Sequence, residues 1–179
     1  DLFLAVVRVM DKIRSSQFTN PFSVRLYLDG TQVQLTPELD SVLPTIEDKT
    51  FSNYHKRVRK FKKIFKEYSF IIANMQTYET EIWEQACLIF KPLFTQVGLS
   101  RFNFESTVLF GNYRQTPFGV HTDRCGVFHI PVEGIKKMRV WTPEFGVKNP
   151  NIKKAINYQK FVSGSKLLTA KPGEVIYWP

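Results

Sequence analysis

Over roughly the first half of the chain the apolar residues recur mostly at helical spacing; after Gly98 they fall in short runs broken by turn residues. Leu2, Val6, Val9, Met10 and Ile13 predict a first helix over 2–13. Two alternating runs, Val24-x-Leu26-x-Leu28 and Val33-x-Leu35, flank Asp29-Gly30, which predicts a hairpin. Thr36-Pro37 reads as an N-cap followed by proline at the first helical position. A second helical stripe follows at 51, 54, 58, 61, 65 and 68, and Phe70-Ile71-Ile72-Ala73 predicts a buried strand. Apolar residues at 82, 86, 89, 93 and 97 place a long amphipathic helix over 78–97, kinked or broken at Pro92.

The runs after Gly98 predict strands over 102–110, 118–123, 127–132, 135–141, 165–169 and 174–178, with turns at Gly111-Asn112, Glu133-Gly134 and Lys171-Pro172-Gly173. The polar stretch 146–164 reads as a long loop. Helices followed by many short strands imply an α+β fold with a mainly β core, an antiparallel barrel or sandwich with the N-terminal helices packed outside. The expected organisation is one structural unit, with a helical and hairpin extension over 1–69 packed on a core over 70–179.

Composition bears on compartment and partners. The 179 residues suffice for one domain with its own core, and the 43% hydrophobic content excludes a disordered chain. Two cysteines, Cys87 inside a helical pattern and Cys125 in a turn region, do not make a disulfide framework, so a reducing compartment, the cytoplasm, is expected. No apolar run approaches the roughly 18 residues of a membrane span, and no membrane association is expected. The net charge of +9 suits an acidic partner, and much of the excess lies in His55–Lys66, where basic residues alternate with the apolar stripe. Either that helix face is simply solvated or it docks an acidic substrate or RNA.

The chemistry centres on His121-Thr122-Asp123. Alternate residues of a strand share a face, so an imidazole and a carboxylate at this spacing can bind one Fe(II), Mn(II) or Zn(II) ion. If 135–141 is a strand, Lys136 shares a face with Met138 and Val140 whereas Lys137 shares one with Arg139, and an inward lysine needs an anion. His129 reads as a supporting or packing histidine and His55 as a solvated one. Nothing supports nucleophilic catalysis: there is no G-x-S-x-G and no phosphate-cradling loop.

Four segments occur in order: Asn112-Tyr113-x-x-Thr116-Pro117-Phe118-Gly119-Val120-His121-Thr122-Asp123; Gly126-Val127-Phe128-His129; Glu133-Gly134-Ile135-Lys136-Lys137-Met138-Arg139-Val140-Trp141; and Leu168-x-Ala170-x-Pro172-Gly173-Glu174-Val175-Ile176-Tyr177-Trp178-Pro179. Over 70–179 this succession resembles the JmjC-like cupin family of Fe(II)- and 2-oxoglutarate-dependent oxygenases, in which an H-x-D strand precedes G-x-K and then a P-G-D segment. The resemblance implies a double-stranded β-helix (cupin, jelly-roll) fold. It makes His121 and Asp123 ligands of Fe(II) and Lys136 the partner of the far carboxylate of 2-oxoglutarate. Asn112, Tyr113 and Thr116 are candidates to hydrogen-bond that cosubstrate, or else they satisfy a turn. The implied reaction couples O2 reduction and decarboxylation of 2-oxoglutarate to hydroxylation of an unactivated C–H. The basic helix tilts the expected substrate toward a peptide or protein rather than a small molecule, with nucleic acid a less favoured partner.

Two departures stand out. Glu174 replaces the family's Asp, and the family's third ligand, a His a few residues past the P-G-D segment, would lie beyond Pro179. The chain opens at Asp1 without Met and stops directly after an apolar run, so truncation of the core is expected. The alternatives are a cupin-fold binding module recruiting an acidic protein or RNA, and, further off, a redox-silent metal enzyme such as a cupin isomerase.

Overall fold

The structure, a computed structural model, describes residues 1–17, 24–61, 63–99 and 104–179. The chain divides into two compact units, Asp1–Arg114 and Gln115–Pro179.

The first unit begins with α1 (Leu2–Ser15), started by the Asp1 carboxylate, which accepts from the backbone N–H of Phe3 at 2.8 Å. Seven of its side chains are buried, Ala5, Val6 and Val7 consecutively, so the helix is embedded over more than the narrow stripe its spacing predicts. Beside it lies a four-stranded antiparallel sheet of β1 (Val24–Leu28), β2 (Thr31–Val33), β3 (Tyr68–Ile72) and β4 (Val108–Gly111), in the order β2-β1-β3-β4. The Asp29-Gly30 turn joins β1 to β2 with positive φ at both residues, as a two-residue hairpin turn requires, and pairs Leu28 with Thr31. All five residues of β3 are buried, as expected of a central strand covered on both faces. A boundary at 69/70 would cut this strand; the unit continues to Arg114.

Thr36-Pro37 opens a 3-10 turn over Pro37–Val42. Thr50 caps α2 (Phe51–Val58), its hydroxyl accepting from the Asn53 N–H. The expected basic stripe holds for burial: Tyr54, Val58, Phe65 and Tyr68 are all inside. It is not one helix, however. The helix ends at Val58, a 3-10 turn covers Arg59–Phe61, and Tyr68 already belongs to β3. Lys62 lies outside the described residues; the density of like charge on either side of the break is the physical reason for a short helix. The core is aromatic. Phe70 of β3 stacks on Phe110 of β4 at 4.9 Å between centroids, Phe51 of α2 packs on Phe110 at 5.1 Å, and Phe3 of α1 meets Phe51 edge-on at 5.1 Å. Tyr54 is fully buried and donates its hydroxyl to the Val42 carbonyl at 2.8 Å, leaving no stranded polar group.

After β3 come α3 (Met75–Tyr78) and α4 (Thr80–Val97), divided by extended Glu79. Glu79 is buried and takes Arg8 at 2.6 Å and Lys12 at 3.4 Å, tying this junction to α1. Helix α4 runs through Pro92, yet none of its residues is buried, and Trp83, Leu88 and Ile89 are exposed. The expected strand over 102–110 is present only as β4; residues 102 and 103 lie outside the described set.

The second unit contains two antiparallel ribbons. One pairs β5 (Val127–His129) with β8 (Ile176–Trp178), and the other pairs β6 (Lys136–Val140) with β7 (Lys166–Ala170). The pairing is nested, with the β6–β7 partners lying between the β5–β8 partners along the chain. The expected loop 146–164 carries more structure than foreseen: α5 (Pro143–Lys148), capped by Thr142, and 3-10 turns over Pro150–Ile152 and Gln159–Gly164. The α+β class therefore holds. Among the described residues the sheets stay separate and do not close into a barrel.

Candidate metal centre

His121 and Asp123 do not lie on a strand. The expected strand 118–123 is replaced by an irregular segment, because Thr116-Pro117-Phe118-Gly119 closes a turn in which the Gly119 N–H donates to the Thr116 carbonyl at 3.2 Å. The chain then pairs through a single residue: the Val120 N–H donates to Ala155 O at 3.1 Å, and Val120 O accepts from the Lys154 N–H at 2.7 Å. Gly119 is required here for two reasons. Its φ is +71°, and a Cβ would sit 2.7 Å from the Lys154 carbonyl oxygen.

This short bridge aims the two candidate ligands at each other. The His121 Nδ1 lies 2.9 Å from the Gly119 carbonyl. A carbonyl only accepts, so Nδ1 carries the proton in this bond and, in the neutral ring, Nε2 presents its lone pair. That Nε2 stands 3.6 Å from Asp123 Oδ1, while the other carboxylate oxygen, Oδ2, accepts from the Trp178 indole N–H at 3.0 Å. The Phe118 ring packs against the imidazole edge-on, with centroids 4.8 Å apart. Each ligand is thus tied by its outer atom, and the inner atoms converge. This is the outer-shell arrangement that orients metal-bound histidine and carboxylate.

Nε2 and Oδ1 are too far apart for a hydrogen bond, but their separation is that of an ion pair when the imidazole is protonated; when it is neutral, two acceptors face one another and a cation between them would satisfy both. Donors of one first-row ion, each about 2.0–2.2 Å from it, lie within about 4.4 Å of each other, so the pair fits a metal. Both side chains remain accessible, His121 at 46% and Asp123 at 33%. Among the described residues no group of three His, Cys, Asp or Glu side chains could hold an ion, so the centre has two visible donors.

Lys136 opens β6 opposite buried Ala170, half buried on the face it shares with Met138, while Lys137 points outward. Arg139, on the face of Lys137, is half-buried as well, so burial along β6 does not alternate. The Lys136 charge reaches His129: burial, and secondly Lys136, push that imidazole down from its ordinary value to about 4, leaving it neutral at physiological pH. Thr116 serves the turn, its hydroxyl 3.5 Å from the Gly119 carbonyl that also holds His121. Asn112 and Tyr113 belong to the first unit. There Asn112 spends both ends of its carboxamide on backbone, accepting from the Tyr68 N–H at 2.7 Å and donating to Lys66 O at 3.0 Å. Tyr113 lies back over Gly111. His55 is not merely solvated, for its Nδ1 is 3.2 Å from the Tyr68 hydroxyl.

Sequence reasoning missed Trp178 and Gly119 as supports of the metal pair. A half-buried indole needs an acceptor, which was a usable signal for Trp178, but only strand register reveals which acceptor it finds. Comparison with protein-family profiles, with curated proteins and with solved structures gives no match.

Proposed function

We propose that the chain is part of an Fe(II)- and 2-oxoglutarate-dependent oxygenase of double-stranded β-helix type, hydroxylating an unactivated C–H on a peptide or protein side chain. One observation carries the reading: His121 Nε2 and Asp123 Oδ1 converge to 3.6 Å while Gly119 and Trp178 hold their outer atoms. The nested pairing of β6–β7 within β5–β8 supports it further, since folded-over antiparallel hairpins are how jelly rolls are built.

In this reading His121 and Asp123 hold Fe(II), with a third ligand, a histidine, from residues following Pro179. The metal, when bound, supplies O2 activation coupled to conversion of 2-oxoglutarate to succinate and CO2. The chain's own residues position and protect. The Gly119 carbonyl keeps a proton on His121 Nδ1, which leaves Nε2 as the nitrogen to meet the metal, and the Trp178 N–H occupies Oδ2, which leaves Oδ1. Lys136 provides the cation for the far carboxylate of 2-oxoglutarate, and neutral His129 beside it adds no second charge. The Phe118 ring packs edge-on against the His121 imidazole.

The test is anaerobic titration of the full-length protein with Fe(II) and 2-oxoglutarate. A weak visible charge-transfer band that is lost in His121→Ala supports the assignment, as does loss of turnover in folded Asp123→Ala. A folded protein that gives no band and binds no metal refutes it.

A further inference from the structure

The second unit holds a cleft of about 390 Å³ whose chemistry is separate from that of the metal pair. Phe145 and Phe161 contribute aromatic wall; Lys148 and Lys160 contribute charge; Asn149, Asn151 and Ser163 contribute hydrogen-bonding groups. No carboxylate lines it. The excess extends along the chain: between Pro143 and Lys166 stand Lys148, Lys153, Lys154, Lys160 and Lys166 against the single acid Glu144. Among the described residues neither Lys148 nor Lys160 forms an ion pair; Lys160 lies over the Phe161 ring, its Nζ 5.1 Å from the centroid. Two cations gathered in one concavity without counter-charges repel each other and attract an anion.

The remaining groups say which kind of anion. Lysine pairs with phosphate and carboxylate alike as a point charge, but the arginine forks and glycine-rich nests of backbone N–H groups that give phosphate its specificity do not line this cleft. The carboxamides suit a peptide instead. Asn149 already donates its side-chain N–H to the Phe145 carbonyl at 3.0 Å, which fixes the amide and leaves its oxygen to accept from a peptide N–H. Asn151, exposed, offers both a donor and an acceptor, the pair a peptide unit requires. The wall rings give apolar contact to the stems of Asp and Glu side chains, whose carboxylates reach the lysines.

We infer that this cleft docks an acidic peptide segment in extended conformation, the lysines pairing with its Asp or Glu side chains and the asparagines with its backbone. The inference rests on the oxygenase reading only for the statement that the docked segment belongs to the substrate. Docking itself needs neither metal nor turnover.

The experiment is fluorescence anisotropy on the metal-free full-length protein, with three labelled probes: a Glu- and Asp-rich peptide, its Gln- and Asn-matched neutral counterpart, and a single-stranded oligonucleotide. The acidic peptide is expected to bind best and the neutral one poorly. Lys148→Gln with Lys160→Gln should weaken acidic-peptide binding roughly tenfold, the combined effect of two exposed charge pairs, with circular dichroism unchanged. Lys56→Gln with Lys60→Gln, on the basic helix and turn of the first unit, should leave it unchanged. Carbodiimide coupling of the bound peptide, mapped by mass spectrometry, should mark Lys148 or Lys160 without any substitution. Equal affinity for the acidic and neutral peptides, tighter binding of the oligonucleotide, loss only in the Lys56 and Lys60 variant, or coupling confined to other lysines would each overturn the assignment. Failure of the metal titration with intact peptide docking would sink the oxygenase and leave the cleft.

Discussion

Replacing Trp178 by phenylalanine removes one hydrogen bond from the metal pair and little else. The indole Nε1 donates to Asp123 Oδ2 at 3.0 Å, and Trp178 sits on β8 opposite Val127, half buried. Phenylalanine keeps an aromatic side chain at this position and the strand register. A hydrogen bond to a charged acceptor contributes about 1.5–3 kcal/mol when well shielded. Asp123 keeps 33% of its side chain open to solvent, so the lower end applies, about 1.5 kcal/mol, or roughly a tenfold weaker metal affinity. That matches the lower bound for loss of an outer-shell partner of a metal ligand. The assay is competition of Fe(II) or Mn(II) against a chromophoric chelator, anaerobically, with the thermal melt as fold control. Trp178→Phe should weaken affinity by about tenfold and lower the melting temperature by no more than roughly 3–6 °C. Equal affinity in the folded variant would refute the claim that the indole sets the carboxylate's orientation.

Gly119→Ala should be worse for the same site, since it forces a side chain into positive φ and against the Lys154 carbonyl, costing about 2 kcal/mol and displacing the carbonyl that holds His121; chelator competition and a melt read both effects. Asp48 is buried: burial alone would lift its carboxyl, but Arg57, at 2.7 and 2.8 Å, and the Thr45 N–H hold it below its ordinary value. Its contribution is therefore present at neutral pH and lost as acid protonates it; Asp48→Asn should cost about 3 kcal/mol, a drop in melting temperature of roughly 6–12 °C, and a drop under about 2 °C contradicts the estimate. His129 titrates near 4 in the folded protein, whereas an unfolded histidine titrates near about 6.5. The unfolded chain thus binds more protons between those values, and stability falls as pH drops through that window. NMR titration should place the His129 midpoint near 4, and an ordinary midpoint would remove the burial argument.

What was legible in the sequence was what local physics decides alone. The Asp29-Gly30 turn needs positive φ at both residues, and that chemistry is visible in two letters. The helix over Leu2–Ser15 and the burial of Tyr54, Val58 and Phe65 follow from spacing, although three kinds of backbone share the stripe that suggested one helix. Thr142-Pro143 carries the same start signal as Thr36-Pro37, so α5, which runs into the expected loop over 146–164, was readable. His121 and Asp123 are close, but the strand geometry expected to bring them together is not what does so. Pro117 and Gly119 turn the chain, and Val120 finds its backbone partners at 154 and 155. Contacts between distant segments, Trp178 with Asp123 above all, depend on register and leave no local mark.

The β5–β8 ribbon has a consequence beyond architecture. With three paired residues on each strand it is too short to persist in water unaided, and its last residue supplies the indole that holds Asp123. If the pair holds an ion as proposed, ribbon formation and ion capture are linked equilibria: the ion would favour the zipped ribbon by an amount that grows with the logarithm of its concentration. Slower amide exchange of the paired β5 and β8 N–H groups on adding metal, with the Phe70–Phe110 core of the first unit unaffected, is the signature of that coupling.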